Sequence, residues 1–160
     1  MIRPRTAIGA LSLSAAALVG LLTHEGYTDR AIVPVQGDRP TVGFGSTFRD
    51  DGSPVQMGDT ITPQKAVART HAHIERDEAG IKSCVTAPLY QHEYDAFVSL
   101  AYNIGINPFC GSTLVRRLNT GDYQGACKEI LKWDKFKGAP LRGLTFRRHA
   151  EYRQCLGEGG

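Results

Sequence analysis

The chain has 160 residues, of which 41% are hydrophobic and 22% are charged, with a net charge of +3 and a pI near 8.7. A chain of this length forms one domain that buries about two thirds of its unfolded surface, so we expect it to fold and act as a monomer. The positive charge is mild and spread along the sequence. This argues against a nucleic-acid-binding protein and is compatible with attraction to an anionic polymer.

The N-terminal part is an apolar stretch, residues 6–23, that contains no charged residue and follows Arg3 and Arg5. Its length is the lower limit for a helix that spans a bilayer, and its many Ala and Gly residues make insertion only weakly favourable. Three interpretations are open: a cleaved signal peptide, the first helix of a soluble domain, and a weak membrane span. In the last case the two arginines keep the N-terminus in the cytoplasm. All three place an aliphatic helix directly before Glu25.

A β-hairpin is predicted after Glu25. Residues 31–35 and 40–45 have the composition of strands, and the polar turn between them contains Asp38. The second strand carries the sequence Thr-Val-Gly-Phe-Gly-Ser, which begins at Thr41. The sequence therefore places one acid at the end of the first helix and another in the hairpin.

The hairpin is followed by a turn-rich segment, residues 48–58, which we expect to complete a small sheet. Thr62 and Pro63 then form a helix start, with threonine as the N-cap and proline at the first helical position. The helix is predicted to run to about Lys82. Its buried face is predicted to contain Val67, Thr70 or His71, Ile74 and Ile81.

Three more helices are predicted in the C-terminal half. Apolar residues recur with helical periodicity over residues 91–104. Ser112 is the N-cap of a second helix, which Gly121 ends. Asp122 is the N-cap of a third, which is predicted to extend through Trp133.

The four cysteines contain no Cys-x-x-Cys pair and have no paired histidines beside them, so we predict no metal site, and no cofactor is expected. In an exported chain they could form two disulfides, each contributing roughly 3 kcal/mol to stability. In a reducing compartment they would be four buried thiols. The cysteines are Cys84, Cys110, Cys127 and Cys155.

The chain resembles the phage-type lysozymes, glycoside hydrolase family 24, from about Thr23 to Leu156. In the N-terminal part the resemblance rests on Glu25-Gly26 and on the block that begins at Thr41. In the C-terminal part it rests on four ordered blocks: Phe97–Gly105, Phe109–Gly121, Gly125–Cys127 with Trp133, and Gly143–Glu151.

This resemblance implies an α+β fold of the lysozyme type. A small N-terminal lobe with an antiparallel β-sheet would be joined by a long helix to a mainly helical C-terminal lobe. Residues 1–23 would be a separate apolar segment, and residues 24–160 the catalytic domain. The implied function is an endolysin, a muramidase that hydrolyses the β-1,4 bond between N-acetylmuramic acid and N-acetylglucosamine in the glycan strands of peptidoglycan.

The resemblance also implies roles for individual residues. Glu25 would be the general acid, and Thr41 would orient the attacking water. The family's spacing puts its second acid three or four residues before Asp38, where this chain has no acid. Asp38 is the nearest acid in the turn and is the candidate base, although Gly-Asp is also a common turn dipeptide. Asp29 is a poorer substitute for that role.

Two other functions are compatible with these residues. A lytic transglycosylase would need Glu25 alone, because it uses no hydrolytic water. A catalytically dead, membrane-tethered protein that binds peptidoglycan would need neither acid.

Some phage lysozymes are exported by a signal-anchor-release segment, which tethers them to the inner membrane before they become free in the periplasm. The resemblance favours this role for residues 6–23, with the N-terminus in the cytoplasm and a transient contact with the inner membrane. Anchored relatives also imply that Cys127 pairs with Cys155, which leaves Cys84 to pair with Cys110.

Overall fold

A computed structural model gives the fold of the chain and describes residues 3–158. The helices are α1 Ala15–Glu25, α2 Pro63–Cys84, α3 Gln91–Ile104, α4 Ile106–Cys110, α5 Thr113–Asn119, α6 Tyr123–Glu129 and α7 Arg142–Cys155. The strands are β1 Thr28–Ile32, β2 Thr41–Gly43, β3 Lys135–Phe136 and β4 Ala139–Pro140. Two short 3-10 helices cover Ile8–Ala10 and Ile130–Lys132.

The described chain falls into two compact units, residues 18–75 and residues 3–17 together with 76–158. The first unit contains the antiparallel β1–β2 sheet, and the second contains most of the helices and a small antiparallel β3–β4 hairpin. The chain enters the unit 18–75 within α1 and leaves it within α2. The predicted α+β fold is confirmed.

The unit 18–75 is built on the β1–β2 hairpin. Thr28 lies opposite Gly43, and Ile32 lies opposite Thr41. The chain returns alongside β1 later, where the Ala31 N–H donates to the Asp59 carbonyl at 2.9 Å. The side chains buried under this sheet are those of Ala31, Val42, Val55, Ile61 and Ala66. The segment 48–58, which we expected to complete this sheet, forms an isolated bridge between Phe48 and Pro54 instead.

The helical unit is organised around α3, whose residues from Glu93 to Tyr102 are all buried. This helix packs mainly against α7, while α5 packs against α6. The predicted caps are confirmed: the Ser112 side chain accepts from the Val115 N–H, and the Asp122 side chain accepts from the Gly125 N–H. The third predicted helix ends earlier than expected, at Glu129, and continues as a 3-10 turn.

The apolar N-terminal stretch is not one continuous helix. Ser14 is the N-cap of α1, because its Oγ accepts from the Ala17 N–H at 3.1 Å, so the helix begins only at Ala15. The residues before it lie against the start of α3, where the Thr6 and Leu89 backbones exchange two hydrogen bonds of 2.8 Å. None of the helices within residues 3–158 has the length and apolar character that crossing a bilayer requires.

The long helix α2 starts where predicted, and the Thr62 hydroxyl accepts from the Lys65 N–H at 3.4 Å. Its predicted buried face is wrong at one position, because the side chain of Val67 is exposed, and of the alternatives Thr70 and His71 it is Thr70 that is buried. The buried positions are Ala66, Thr70, Ile74, Asp77 and Ile81. The helix is therefore rotated so that a carboxyl group, Asp77, lies among its buried residues.

Both predicted disulfides are confirmed. Cys84 is bonded to Cys110, and Cys127 is bonded to Cys155, each with a Cα–Cα distance of 5.7 Å. The first joins the end of α2 to the end of α4, and the second joins α6 to the end of α7. Both lie outside the segment that carries the candidate acids.

Candidate active site

Glu25 is the last residue of α1, the position that the sequence predicted for it. Its side chain is half-buried, and its carboxylate lies directly against the backbone of Gly45. A Cβ atom built on Gly45 would be 2.7 Å from Oε2 of Glu25 and 3.5 Å from its Cδ. The carboxylate therefore occupies space that only a glycine at position 45 leaves open.

The tight turn that follows β2 brings Gly45 to this place. Val42 and Ser46 exchange two backbone hydrogen bonds of 3.1 Å and so close a loop around the three residues between them. Gly43 and Gly45 have φ angles of +70° and +77°, the left-handed region that disfavours other residues. A Cβ on Gly43 would also come within 3.0 Å of the Ala66 Cβ on α2. Contact with Ala66 thus favours glycine at position 43, and contact with Glu25 favours glycine at position 45.

An aromatic contact ties this turn to the end of α1. The rings of Tyr27 and Phe44 lie with their centroids 5.5 Å apart, and the Tyr27 hydroxyl donates to the Ile61 carbonyl at 2.8 Å. Because Tyr27 follows Glu25 by two residues and Phe44 precedes Gly45, the pair holds the helix end against the turn. The sequence analysis included Phe44 only as part of a motif, and the contact with Tyr27 is visible only in the structure.

Thr41 begins β2, where it is half-buried opposite Ile32. Its hydroxyl takes part in none of the hydrogen bonds within residues 3–158. Asp38 lies in the exposed turn before this strand, and its Oδ1 accepts from the Arg39 N–H at 2.7 Å. Its Oδ2 is outside the hydrogen bonds of the described residues. Asp38 is thus a turn-forming acid with one oxygen still available, three residues before Thr41.

The structure brings Glu25 together with the Gly43–Gly45 turn and puts Thr41 on the strand that leads into that turn. Asp29, the substitute acid, lies in β1 and is exposed. Within residues 3–158, no three His, Cys, Asp or Glu side chains are gathered closely enough to hold a metal ion. The candidate residues Glu25, Asp38 and Thr41 supply carboxyl and hydroxyl groups.

Comparison with known proteins matches most of the chain to one family. The family model described as phage lysozyme matches residues 22–151. The endolysin of Acyrthosiphon pisum secondary endosymbiont phage 1 is 37% identical over 145 residues, which cover 88% of this chain and 95% of that protein. The SAR-endolysin of Pseudomonas phage phiKMV is 34% identical over 147 residues, covering 89% and 87%.

A solved structure has the same fold. The endolysin from Escherichia coli O157:H7 phage FAHEc1 superimposes with a TM-score of 0.81 and is 34% identical in sequence. The match covers 92% of this chain and 95% of that one.

Proposed function

We propose a function from one premise: this chain belongs to the phage lysozyme family. It is therefore a peptidoglycan-degrading hydrolase of the endolysin type. We infer that it cleaves the β-1,4 bond between N-acetylmuramic acid and N-acetylglucosamine, with Glu25 as general acid, Asp38 as general base and Thr41 orienting the water. The observation that carries this assignment is the packing of the Glu25 carboxylate against Gly45 at the end of α1.

Cleavage of a glycosidic bond requires a proton for the departing oxygen, and a fixed carboxyl group supplies it best. Glu25 meets this requirement because it ends α1 and its carboxylate packs against Gly45 in the turn after β2. The restricted carboxyl can then deliver its proton to one point without reorganising.

The second half of the reaction requires a water molecule that is oriented and deprotonated. The uncommitted Thr41 hydroxyl can hold such a water, and the free oxygen of the Asp38 carboxylate can accept its proton. Attack by that water on the face opposite the leaving group inverts the anomeric centre. The anomeric configuration of the fresh reducing end is thus a direct readout of this assignment.

Three substitutions test the roles on purified peptidoglycan sacculi. Glu25→Gln should abolish turnover, while Asp38→Asn and Thr41→Val should each lower kcat about 10²-fold or more. Glu75→Gln, which removes an exposed carboxylate on α2, is the matched control and should retain full activity. Circular dichroism checks that each variant is folded. Full activity in Glu25→Gln would refute the whole assignment, and full activity in Asp38→Asn would refute only the role of the base.

The exposure of Asp38 and its departure from the family's spacing favour one alternative, a lytic transglycosylase that uses Glu25 alone. Mass spectrometry of the products separates the two, since a transglycosylase leaves 1,6-anhydro ends and a hydrolase leaves reducing ends. A catalytically dead protein that only binds peptidoglycan would release neither product and would be unaffected by Glu25→Gln.

We further propose that residues 6–23 first tether the enzyme to the inner membrane, with the N-terminus in the cytoplasm and the remaining chain in the periplasm. The SAR-endolysin name of the phiKMV relative supports this. The described arrangement would then be the released form. In it, the Leu13 N–H donates to Glu78 at 2.7 Å, and both the N–H and the hydroxyl of Ser14 donate to the Asp95 carboxylate.

The tether can be tested without disturbing the released form. Gly9 and Ser12 are exposed, and a Cβ on Gly9 would meet nothing within 4 Å. The double variant Gly9→Leu, Ser12→Leu should therefore fold normally yet remain in the membrane fraction, because each leucine favours insertion. We expect delayed lysis from this variant, and movement of the wild type to the soluble periplasm when an uncoupler is added. A wild type that is soluble from the start, with unchanged lysis timing in the variant, would refute the tether.

A further inference from the structure

The unit 18–75 also contains a pocket of about 350 Å³, which none of the candidate catalytic residues lines. This volume suits a small molecule or the end of a peptide. Val42 and Thr60 contribute to its wall, and Val42 directly follows the candidate residue Thr41. The remaining lining residues are all charged: Arg49, Asp50, Asp51, Asp59 and Arg69.

One hydrogen bond holds the guanidinium group of Arg69 in place and leaves its two Nη groups available. Its Nε donates to Oδ1 of Asp50 at 2.7 Å, and the side chain is only 17% exposed although Asp50 is 72% exposed. Neither Nη group of Arg69 takes part in a hydrogen bond within residues 3–158. A guanidinium fixed through Nε that presents its two Nη groups is suited to two parallel hydrogen bonds with a carboxylate.

The other charges of the pocket are fixed in the same way. Arg49 donates through Nε and Nη2 to both oxygens of Asp59, each at 2.7 Å, and this hydrogen bonding lowers the pKa of Asp59 to about 2. Oδ1 of Asp51 accepts from the backbone and hydroxyl of Ser53. Oδ2 of Asp50 and Oδ2 of Asp51 lie outside these bonds. Two carboxylate oxygens therefore remain available in the pocket, together with the Nη groups of Arg69.

These charges select the kind of ligand. The lining presents both signs of charge: three carboxylates, which attract a cation, and two guanidinium groups, which attract an anion. The acids within residues 3–158 are also not arranged to hold a metal ion. A group that carries a carboxylate and an ammonium a few ångströms apart satisfies both signs at once.

We propose that this pocket binds the zwitterionic amino-acid end of a peptidoglycan stem peptide, with the carboxylate on Arg69 and the ammonium on the Oδ2 atoms of Asp50 and Asp51. This rests on the proposed function, in which the substrate is a glycan strand that carries such peptides. An uncrosslinked diamino acid in the stem has a free ammonium and a carboxylate on one carbon. The pocket would then make the enzyme prefer glycan strands that still carry uncrosslinked stems.

Binding is tested on the full chain by calorimetry with the tripeptide L-alanyl-γ-D-glutamyl-meso-diaminopimelate. Arg69→Gln should weaken its binding at least about tenfold, which corresponds to the loss of one charge-assisted hydrogen bond. Arg76→Gln is the matched control, since it removes an exposed positive charge two turns later on α2 and does not line the pocket, and it should bind like the wild type. If Arg69→Gln does not fold, Arg69→Lys keeps the charge but loses the planar fork and takes its place.

Activity on two substrates separates this proposal from the proposed function. On sacculi with intact stems, Arg69→Gln should raise KM with little change in kcat, while on glycan strands stripped of peptides by an amidase it should match the wild type. No activity of the wild type on either substrate would refute the muramidase function and leave tripeptide binding to decide the pocket. Wild-type activity on both substrates, with no tripeptide binding and no effect of Arg69→Gln, would refute the pocket alone.

Discussion

Gly45→Ala tests whether the position of the Glu25 carboxylate limits catalysis. The new Cβ would lie 2.7 Å from Oε2 of Glu25, so the carboxylate would have to retreat by about 0.7 Å to reach an ordinary contact of 3.4 Å. Misplacing a catalytic group by 1 Å can lower a rate about 10²-fold, so we expect kcat to fall roughly 30- to 100-fold. The φ angle of +77° adds a stability loss of roughly 1–2 kcal/mol.

The matched control is Gly52→Ala. Gly52 has a φ angle of +84° and open space where a Cβ would be, so alanine there has the same backbone penalty without touching Glu25. Initial rates on sacculi and urea unfolding should show both variants similarly destabilised, with only Gly45→Ala slow. Wild-type kcat in folded Gly45→Ala, or an equal loss of kcat in Gly52→Ala, would contradict the claim that this contact positions the acid.

Three further predictions concern stability. Burial raises the pKa of Asp77 to about 7, so the folded state loses up to about 4 kcal/mol of stability as pH rises from about 4 to 7. In urea unfolding, Asp77→Asn should abolish this loss and be more stable than the wild type at pH 8. An unchanged pH profile in the variant would contradict the prediction. Replacing Cys84 and Cys110 by alanine should lower the unfolding free energy by about 3.5 kcal/mol, since the disulfide closes a separation of 26 residues, and the reduced wild type should lose at least as much. Glu151→Gln should lower the unfolding free energy by about 3–5 kcal/mol in guanidinium, because the Nε of the fully buried Arg148 lies 2.7 Å from the Glu151 Oε2 and would lose its charged partner. A loss below about 1 kcal/mol would show that the ion pair is dispensable.

Local signals in the sequence were sufficient for most of the helices. The N-caps Thr62, Ser112 and Asp122 were predicted correctly because a capping side chain bonds to backbone only three residues away. Helix α3 was predicted to the residue because its apolar periodicity is that of a helix buried against a core. Glu25 was placed correctly at a helix end because the apolar stretch stops directly before it.

The N-terminal stretch could not be predicted, because distant residues decide its conformation. Its aliphatic composition suits a helix throughout, yet Asp95 bonds Ser14, and Glu93 holds Arg5 through hydrogen bonds of 2.8 to 3.3 Å. These partners lie more than eighty residues away along the chain. The rotation of α2 was missed for a similar reason, since only packing decides that Asp77 is buried and Val67 is exposed.

The sequence by itself determined the family, most of the helices and the acid at the end of α1, because short motifs and periodicity carry that information. It did not reveal why Gly45 must lack a side chain, nor that Arg69 and Asp50, nineteen residues apart, meet in one pocket. Both depend on which segments the tertiary fold brings into contact, since a steric exclusion or an ion pair exists only between groups that already lie within a few ångströms of each other.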